Sequence, residues 1–241
     1  MEIKTIIVTG VTGGIGSQIA RKFILMGDIV IGVYNNSESV AMQLKKEFGA
    51  NLHLYKCDLS DFDCGEKLLL YIEEKGLQPD LLINNAGISI IGLLQDLTKD
   101  FWNNIWNTNV TSAISLSKAL IPLFLRNGHG KIINISSVWG ERGASCEVAY
   151  SATKGAINSF TKALAKELAP SNIQVNALSC GIIDTKMNSH LSSEDISSII
   201  EEIPAERMGT PQDVADAVLS LTYFNSYMTG QIITIDGGWM V

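Results

Sequence analysis

No apolar run in this chain approaches the roughly 18 residues that a membrane-spanning helix needs. Cysteine is scarce and unpatterned: Cys57, Cys64, Cys146 and Cys180 form no CxxC pair and no disulfide framework. That excludes the common zinc and redox motifs and fits a soluble protein of a reducing cytosol. His53, His129 and His190 are far apart, and none has a metal-ligand companion at the usual spacing. Surface positions are therefore expected for all three, and no metal. Basic side chains are outnumbered, with 18 Lys and Arg against 25 Asp and Glu and a net charge of −7. This argues against a nucleic-acid backbone as partner. It does not exclude an anionic cofactor, because the N–H groups at a helix N-terminus hold phosphate without any basic side chain. Pro- or Ser-rich linkers and internal repeats are absent too, so one domain over 1–241 is the economical organisation. The opening MEIKTIIVTG enters a strand pattern at once and leaves no room for a signal peptide.

What is present is a core. Hydrophobic residues make up 46% of the 241 positions, enough to exclude wholesale disorder. Strand-like runs fall at 3–9, 29–34, 52–56, 80–84, 131–136, 173–178 and 231–235. Between them lie segments of helical period, such as Ile15-Ile19-Phe23-Met26 and Ala156-Phe160-Leu164-Leu168. Short apolar strands alternating with helices predict an α/β fold, a doubly wound parallel sheet covered on both faces. Pro122, inside the long segment 99–126, predicts a kink or a stop. The region 185–210 breaks the rhythm and reads either as a substrate lid or as an ordinary surface helical loop. The apolar faces of 99–126 and 149–169, with the tail Gly237-Gly238-Trp239-Met240-Val241, point to self-association, a monomer with a buried C-terminus being the alternative.

Three motifs carry chemistry. The turn Thr9-Gly10-Val11-Thr12-Gly13-Gly14-Ile15-Gly16 lies between the first strand and the first helix, where glycines let the backbone approach a pyrophosphate. Asn84-Asn85-Ala86-Gly87 follows the fourth strand, at the sheet rim where ligands bind, and an Asn there can tie neighbouring strands together. Asp58, with Leu59 beside it in CDLSD, belongs to the same rim. It can accept a hydrogen bond from an adenine amino group or cap a helix. Ser137 closes the fifth strand, and Tyr150 and Lys154 stand four apart in YSATK, on one helix face. A neighbouring ammonium is expected to lower the phenol pKa towards the range of an acid-base catalyst.

The order TGxxxGxG, NNAG, Asn109, Ser137, YxxxK resembles the short-chain dehydrogenase/reductase family over essentially the whole chain. The likeness implies a Rossmann-type fold and hydride exchange between a nicotinamide cofactor and a carbonyl or alcohol. By that likeness Tyr150 is the proton donor, and Lys154 holds the nicotinamide ribose while lowering the tyrosine pKa. Ser137 bonds the substrate oxygen, Asn109 anchors a water in a proton relay, and Gly181, Ile183 and Thr185 flank the carboxamide. A tetramer is implied as well. The chain departs from the family at Cys180-Gly181, where Pro-Gly is usual, and a looser turn is expected there. Within the family, SSVWGERGASCEVAYSATKGA and GQIITIDGGWMV resemble the elongation factor P 5-aminopentanone reductases, relatives of the 3-oxoacyl-acyl-carrier-protein reductases. Trp139, Glu141 and Glu147 in that stretch lie beside the expected pocket. Its two carboxylates either favour a substrate tail bearing an ammonium or are solvated loop charges.

The end of the second strand carries Tyr34, Asn35, Asn36 and Ser37, and the first acid is Glu38. An acid there would bond the ribose hydroxyls and repel a 2′-phosphate, so its absence favours NADPH over NADH. Gly13, however, stands where many NADP binders of the family have Arg. A ketone reductase is the leading expectation. An NAD-dependent dehydrogenase of alcohols, sugars or steroids, and a non-catalytic dinucleotide-binding sensor, are the alternatives.

Overall fold

Alternate residues of a strand point to opposite faces of a sheet, and β1 (Thr5–Thr9) divides its side chains accordingly. Ile6 and Val8 enter one core and Ile7 the other. The computed structural model describes residues 3–223 and 227–240. After β1 come α1 (Gly14–Leu25), β2 (Ile29–Tyr34), α2 (Glu38–Phe48), β3 (Leu52–Lys56), α3 (Cys64–Glu74) and β4 (Leu81–Asn84). The second half has α4 (Lys99–Trp106), α5 (Ser112–Asn127), β5 (Gly130–Ser137), the short α6 (Trp139–Arg142), α7 (Val148–Leu168) and β6 (Ile173–Cys180). It ends with α8 (Ser193–Glu202), α9 (Pro211–Tyr223) and β7 (Ile232–Ile235).

The seven strands form one parallel sheet in the order β3-β2-β1-β4-β5-β6-β7. This is the doubly wound Rossmann-type arrangement, with its switch point between β1 and β4. On one face Ile19 and Phe23 of α1 and Val214 and Val218 of α9 pack against the sheet. On the other, Leu68 of α3, Leu120 and Phe124 of α5 and Leu168 of α7 do the same. Each such fully buried side chain contributes about 1.5–3 kcal/mol.

A polar chain crosses this second face. Asn84 Nδ2 of β4 donates to Asn134 Oδ1 of β5 at 2.8 Å, and Asn134 Nδ2 donates to Thr161 Oγ1 of α7 at 2.8 Å. The expected asparagine tie between strands is therefore present.

Pro122 neither stops the helix nor marks its irregularity, because α5 runs on through it to Asn127. Proline removes the bond to the carbonyl four residues back. Both Pro122 and Lys118 face solvent, where water can serve that carbonyl. The break comes earlier, in a π-turn at Asn107–Thr111 that joins α4 to α5. Among the described residues, the joined stretch Lys99–Asn127 is long and apolar enough to cross a membrane, but 61% of its apolar window is buried in the fold. Segment 185–210 contains α8, closed at its start by a reciprocal Ser192–Asp195 capping box. His129 and His190 are exposed as expected, whereas His53 is half-buried in β3. Val241 lies outside the described residues.

Candidate active site

The parallel strands all deliver their C-terminal ends to one rim, and the sequence motifs meet there. Gly16, in the first turn of α1, sits where a methyl group would come 2.2 Å from the Gly10 carbonyl oxygen and 2.8 Å from Asn85 Nδ2. The missing side chain lets the turn from Gly10 through Thr12 to Gly14 fold tightly over the end of β1. Thr9 and Asn85 bridge the switch point. Thr9 Oγ1 accepts from the N–H groups of Asn85 and Ala86, each at 2.9 Å, and Asn85 Nδ2 donates to the Thr9 carbonyl at 2.8 Å. Ile15 and Thr185 both line the cleft, and a methyl at Gly14 would lie 3.2 Å from Thr185 Cγ2. A bare helix N-terminus beside a glycine turn is the cradle a dinucleotide pyrophosphate requires. The residues present fit such a cofactor.

The rest of that cofactor's expected footprint is arranged as follows. Tyr34 is buried, and its hydroxyl donates to Glu38 Oε1 at 3.3 Å. Glu38 Oε2 in turn binds Lys56 Nζ at 2.6 Å. Asn35 and Asn36 form the bend after β2. Asp58 is not a helix cap: its carboxylate accepts from the Ser60 N–H at 2.9 Å, and α3 starts six residues later. Leu59 beside it is buried. A methyl at Gly87 would lie 3.4 Å from Asn109 Oδ1 and 3.5 Å from Lys154 Nζ, so this glycine opens onto both side chains.

Ser137, Tyr150 and Lys154 share one cleft with Asn85, Gly87 and Cys180. The Ser137 hydroxyl stands beside the Tyr150 phenol and favours its charged form. It also accepts from the Trp139 N–H at 3.2 Å. Lys154 Nζ lies 5.5 Å from the centre of the Tyr150 ring and donates to the Ile135 carbonyl at 2.8 Å. The four-residue spacing has placed both groups on the same side of α7.

Their protonation differs from the sequence expectation. Burial pushes the Tyr150 phenol above its ordinary range, and the neighbouring Ser137 hydroxyl only partly offsets this. Burial also pushes Lys154 down to about 8. Desolvation disfavours both charged forms and is the largest cause of each shift. The phenol is therefore a protonated donor at neutral pH, and Lys154 is still largely an ammonium. kcat/KM, which reports the free enzyme, is expected to fall above about pH 8 as Lys154 loses its proton. A profile flat to pH 10 would contradict this.

Asn109, in the π-turn, spends its side chain on the backbone. Oδ1 accepts from the Ile88 N–H at 2.8 Å, while Nδ2 donates to the Ile88 carbonyl at 2.9 Å and to Thr153 Oγ1 at 3.1 Å. Its amide thus fixes the strand-end loop, and these bonds use one of the two lone pairs of Oδ1. The turn at Cys180-Gly181, expected to be looser, is instead tied into the sheet. Cys180 remains in β6, paired to Ser137 on one side and Ile235 on the other, so ladder bonds replace the rigidity of a ring. Burial pushes its thiol up to about 12. Gly181, Ile183 and Thr185 follow along the cleft wall.

The proposed substrate residues separate. Trp139 and Glu147 line the cleft, and Glu147 is hydrogen-bonded by the Ser89 hydroxyl. Glu141 does not: its carboxylate accepts from Ser179 Oγ at 2.6 Å and faces a second cleft with Arg142 and Asp236. Two residues, about half a turn of α6, point it away from Trp139. Sequence reasoning missed Ser89, His190, Ile199 and Trp239, which also line the cleft. An apolar residue in the irregular 185–210 segment and a C-terminal indole were the available signals.

Comparison with known proteins agrees with this geometry. Residues 10–240 match the family model of enoyl-(acyl carrier protein) reductases. The uncharacterized oxidoreductase YmfI of Bacillus subtilis is 40% identical over 242 residues, covering 98% of each chain. The 3-oxoacyl-[acyl-carrier-protein] reductase FabG of Escherichia coli is 36% identical, covering 98% of this chain and 97% of its own. A putative gluconate dehydrogenase from Agrobacterium tumefaciens superimposes with a TM-score of 0.93 at 29% identity, covering 98% of this chain and 95% of that one. A parallel sheet whose strand ends gather a glycine turn, a serine, a tyrosine and a lysine, matched along its length by such relatives, places this chain in the short-chain dehydrogenase/reductase family of NAD(P)-dependent oxidoreductases.

Proposed function

We propose that the chain is an NADPH-dependent ketone reductase with Tyr150 as proton donor. The observation that carries this is the meeting of Ser137, Tyr150 and Lys154 in one cleft, with Lys154 Nζ 5.5 Å from the centre of the Tyr150 ring. When bound, the nicotinamide supplies the hydride. Ser137 and Tyr150 hold the substrate oxygen, and the phenol hands it a proton as negative charge develops there. Lys154 holds the cofactor ribose and offers the nearest positive charge. Asn109 steadies the loop at Gly87. The footprint from Gly10 to Gly16, with Tyr34, Asn35, Asn36, Asp58, Leu59, Asn85, Ala86 and Gly87, receives the rest of the cofactor. NADPH is favoured because Glu38 is turned to Lys56 and leaves no free carboxylate at the end of β2 to repel a 2′-phosphate.

The substrate we propose is the 5-aminopentanone group on elongation factor P, with a 3-oxoacyl-acyl-carrier-protein as the other member of the same reading. Glu147 supports the first, since a carboxylate in the cleft attracts an ammonium and repels an acidic carrier. FabG relatives at 36% identity support the second. Oxidation of a sugar-like alcohol with NAD is a further alternative, favoured by the gluconate dehydrogenase likeness. A cytoplasmic homotetramer completes the proposal, supported by the exposed Phe101, Trp102, Ile114 and Val148 on α4, α5 and α7.

Cofactor oxidation followed with matched ketones, one ending in an amine and one in a methyl, tests this. NADPH is expected to outperform NADH at least tenfold in kcat/KM. Glu147→Gln should raise KM for the amine-bearing ketone about tenfold and affect the neutral one far less. A preference for NADH, or equal losses on both ketones, would reject the respective part.

A further inference from the structure

The chain ends against its own reaction cleft. After β7 the tail turns back under the Asp236 carboxylate, which accepts from the N–H groups of Gly238 at 2.9 Å and Met240 at 2.8 Å. Arg142 of α6 donates to the Met240 carbonyl at 2.7 Å. The tail also closes on the exit of α8, where the Ala205 N–H donates to the Gly237 carbonyl at 3.0 Å. Gly237 has φ +69°, and a methyl there would meet Ile203 Cγ2 at 2.9 Å and Ala205 Cβ at 3.0 Å. The approach between tail and α8 is therefore built to be close.

This anchoring presents Trp239 to two elements at once. Its ring packs edge-on to Trp139, with centroids 5.2 Å apart and planes at 63°. Its Nε1–H donates to Glu202 Oε2 at 3.1 Å, on the last residue of α8. Trp139, Trp239 and Ile199 of α8 all line the cleft that holds Tyr150. No residue of α8 is fully buried, so this helix has little core of its own to hold it down and depends on such peripheral contacts.

We propose that Trp239 is a substrate-positioning residue: it forms, with Trp139, the apolar outer wall of the cleft and latches α8 over it through Glu202. Edge-to-face indoles and a charge-assisted hydrogen bond are each strong enough to bias a marginal helix between closed and open positions. The catalytic groups occupy the inner end of the cleft, so the wall meets the part of the substrate beyond the carbonyl. That a ketone enters here rests on the function proposed above; that α8 is latched does not.

The latch is tested by amide hydrogen exchange across α8, with no substrate present. Trp239→Phe keeps a ring beside Trp139 but loses the donor, and Glu202→Ala loses the acceptor. Both should speed exchange in α8 about fivefold or more, while β5 and α7 keep their protection. Glu202→Gln retains an acceptor oxygen and should stay within about twofold of the native protein. The wall is tested with NADPH and a series of ketones of increasing chain length. Trp239→Ala should raise KM for the longest about tenfold, with a smaller change for the shortest and a smaller change in kcat. Unaltered α8 exchange in both Trp239→Phe and Glu202→Ala would overturn the latch. Equal losses of kcat and kcat/KM at every chain length would overturn the positioning role. If the ketone-reductase reading fails, its failure shows as undiminished turnover in Tyr150→Phe, and the exchange result is unaffected.

Discussion

Tyr150→Phe should cost about 10²–10⁴-fold in kcat, the range a positioned general acid supplies, while NADPH binds nearly as tightly as before. The substitution removes one oxygen and nothing else from a buried ring. The ring keeps its packing against Ile105 and Ala149, and Lys154 keeps its bond to the Ile135 carbonyl. Ser137 still accepts from the Trp139 N–H. The fold should therefore survive with its cofactor cradle intact, and the loss should fall on the proton-transfer step. Stopped-flow turnover together with fluorescence titration of NADPH separates the two effects. Turnover within a few-fold of the native value would remove Tyr150 from the mechanism. A parallel collapse of cofactor affinity would instead mean that the phenol is structural.

Gly16→Ala is expected to act in the opposite way, abolishing cofactor binding ahead of chemistry. The added carbon would stand 2.2 Å from the Gly10 carbonyl oxygen and 2.8 Å from Asn85 Nδ2. The first obstacle is backbone and the second is held by the Thr9 carbonyl, so neither can swing away cheaply. Relief requires moving the start of α1 off the sheet, at a cost of about 1–3 kcal/mol or somewhat more. It also widens the gap that the pyrophosphate would have to fill. NADPH affinity should drop at least a hundredfold, with a lower midpoint in urea denaturation. Unchanged affinity would show that this turn does not carry the cofactor.

Much of this was legible because of how the fold distributes burial. Strands buried on both faces read as unbroken apolar runs, and all seven were found to within two residues of their ends. Ser137, Tyr150 and Lys154 were legible because a strand end and an i, i+4 pair fix where side chains go without knowledge of the loop between them. That loop was not legible. Gly143 and Cys146 take φ of +76° and +62°, and Glu147, which follows these reversals, lines the cleft, whereas Glu141 of α6 does not. The spacing of two glutamates encodes neither outcome. Nor does sequence give depth: the charge of Lys154 was evident, but the burial that raises the phenol and lowers the amine is a property of the assembled core. Trp239 lies a hundred positions from Trp139, and their contact depends on where β7 joins the sheet.

The asparagine–threonine chain across the sheet has a mechanical consequence. Thr161 lies eleven residues beyond Tyr150, about 16 Å along the helix axis. Asn158, one turn nearer, is tied to Ser136 at 2.6 Å. Sliding α7 lengthwise would sever both ties in a place no water reaches. The height of the phenol above the strand ends is thus set like a vernier from the middle of the sheet, and drift in the surface loops leaves that setting untouched.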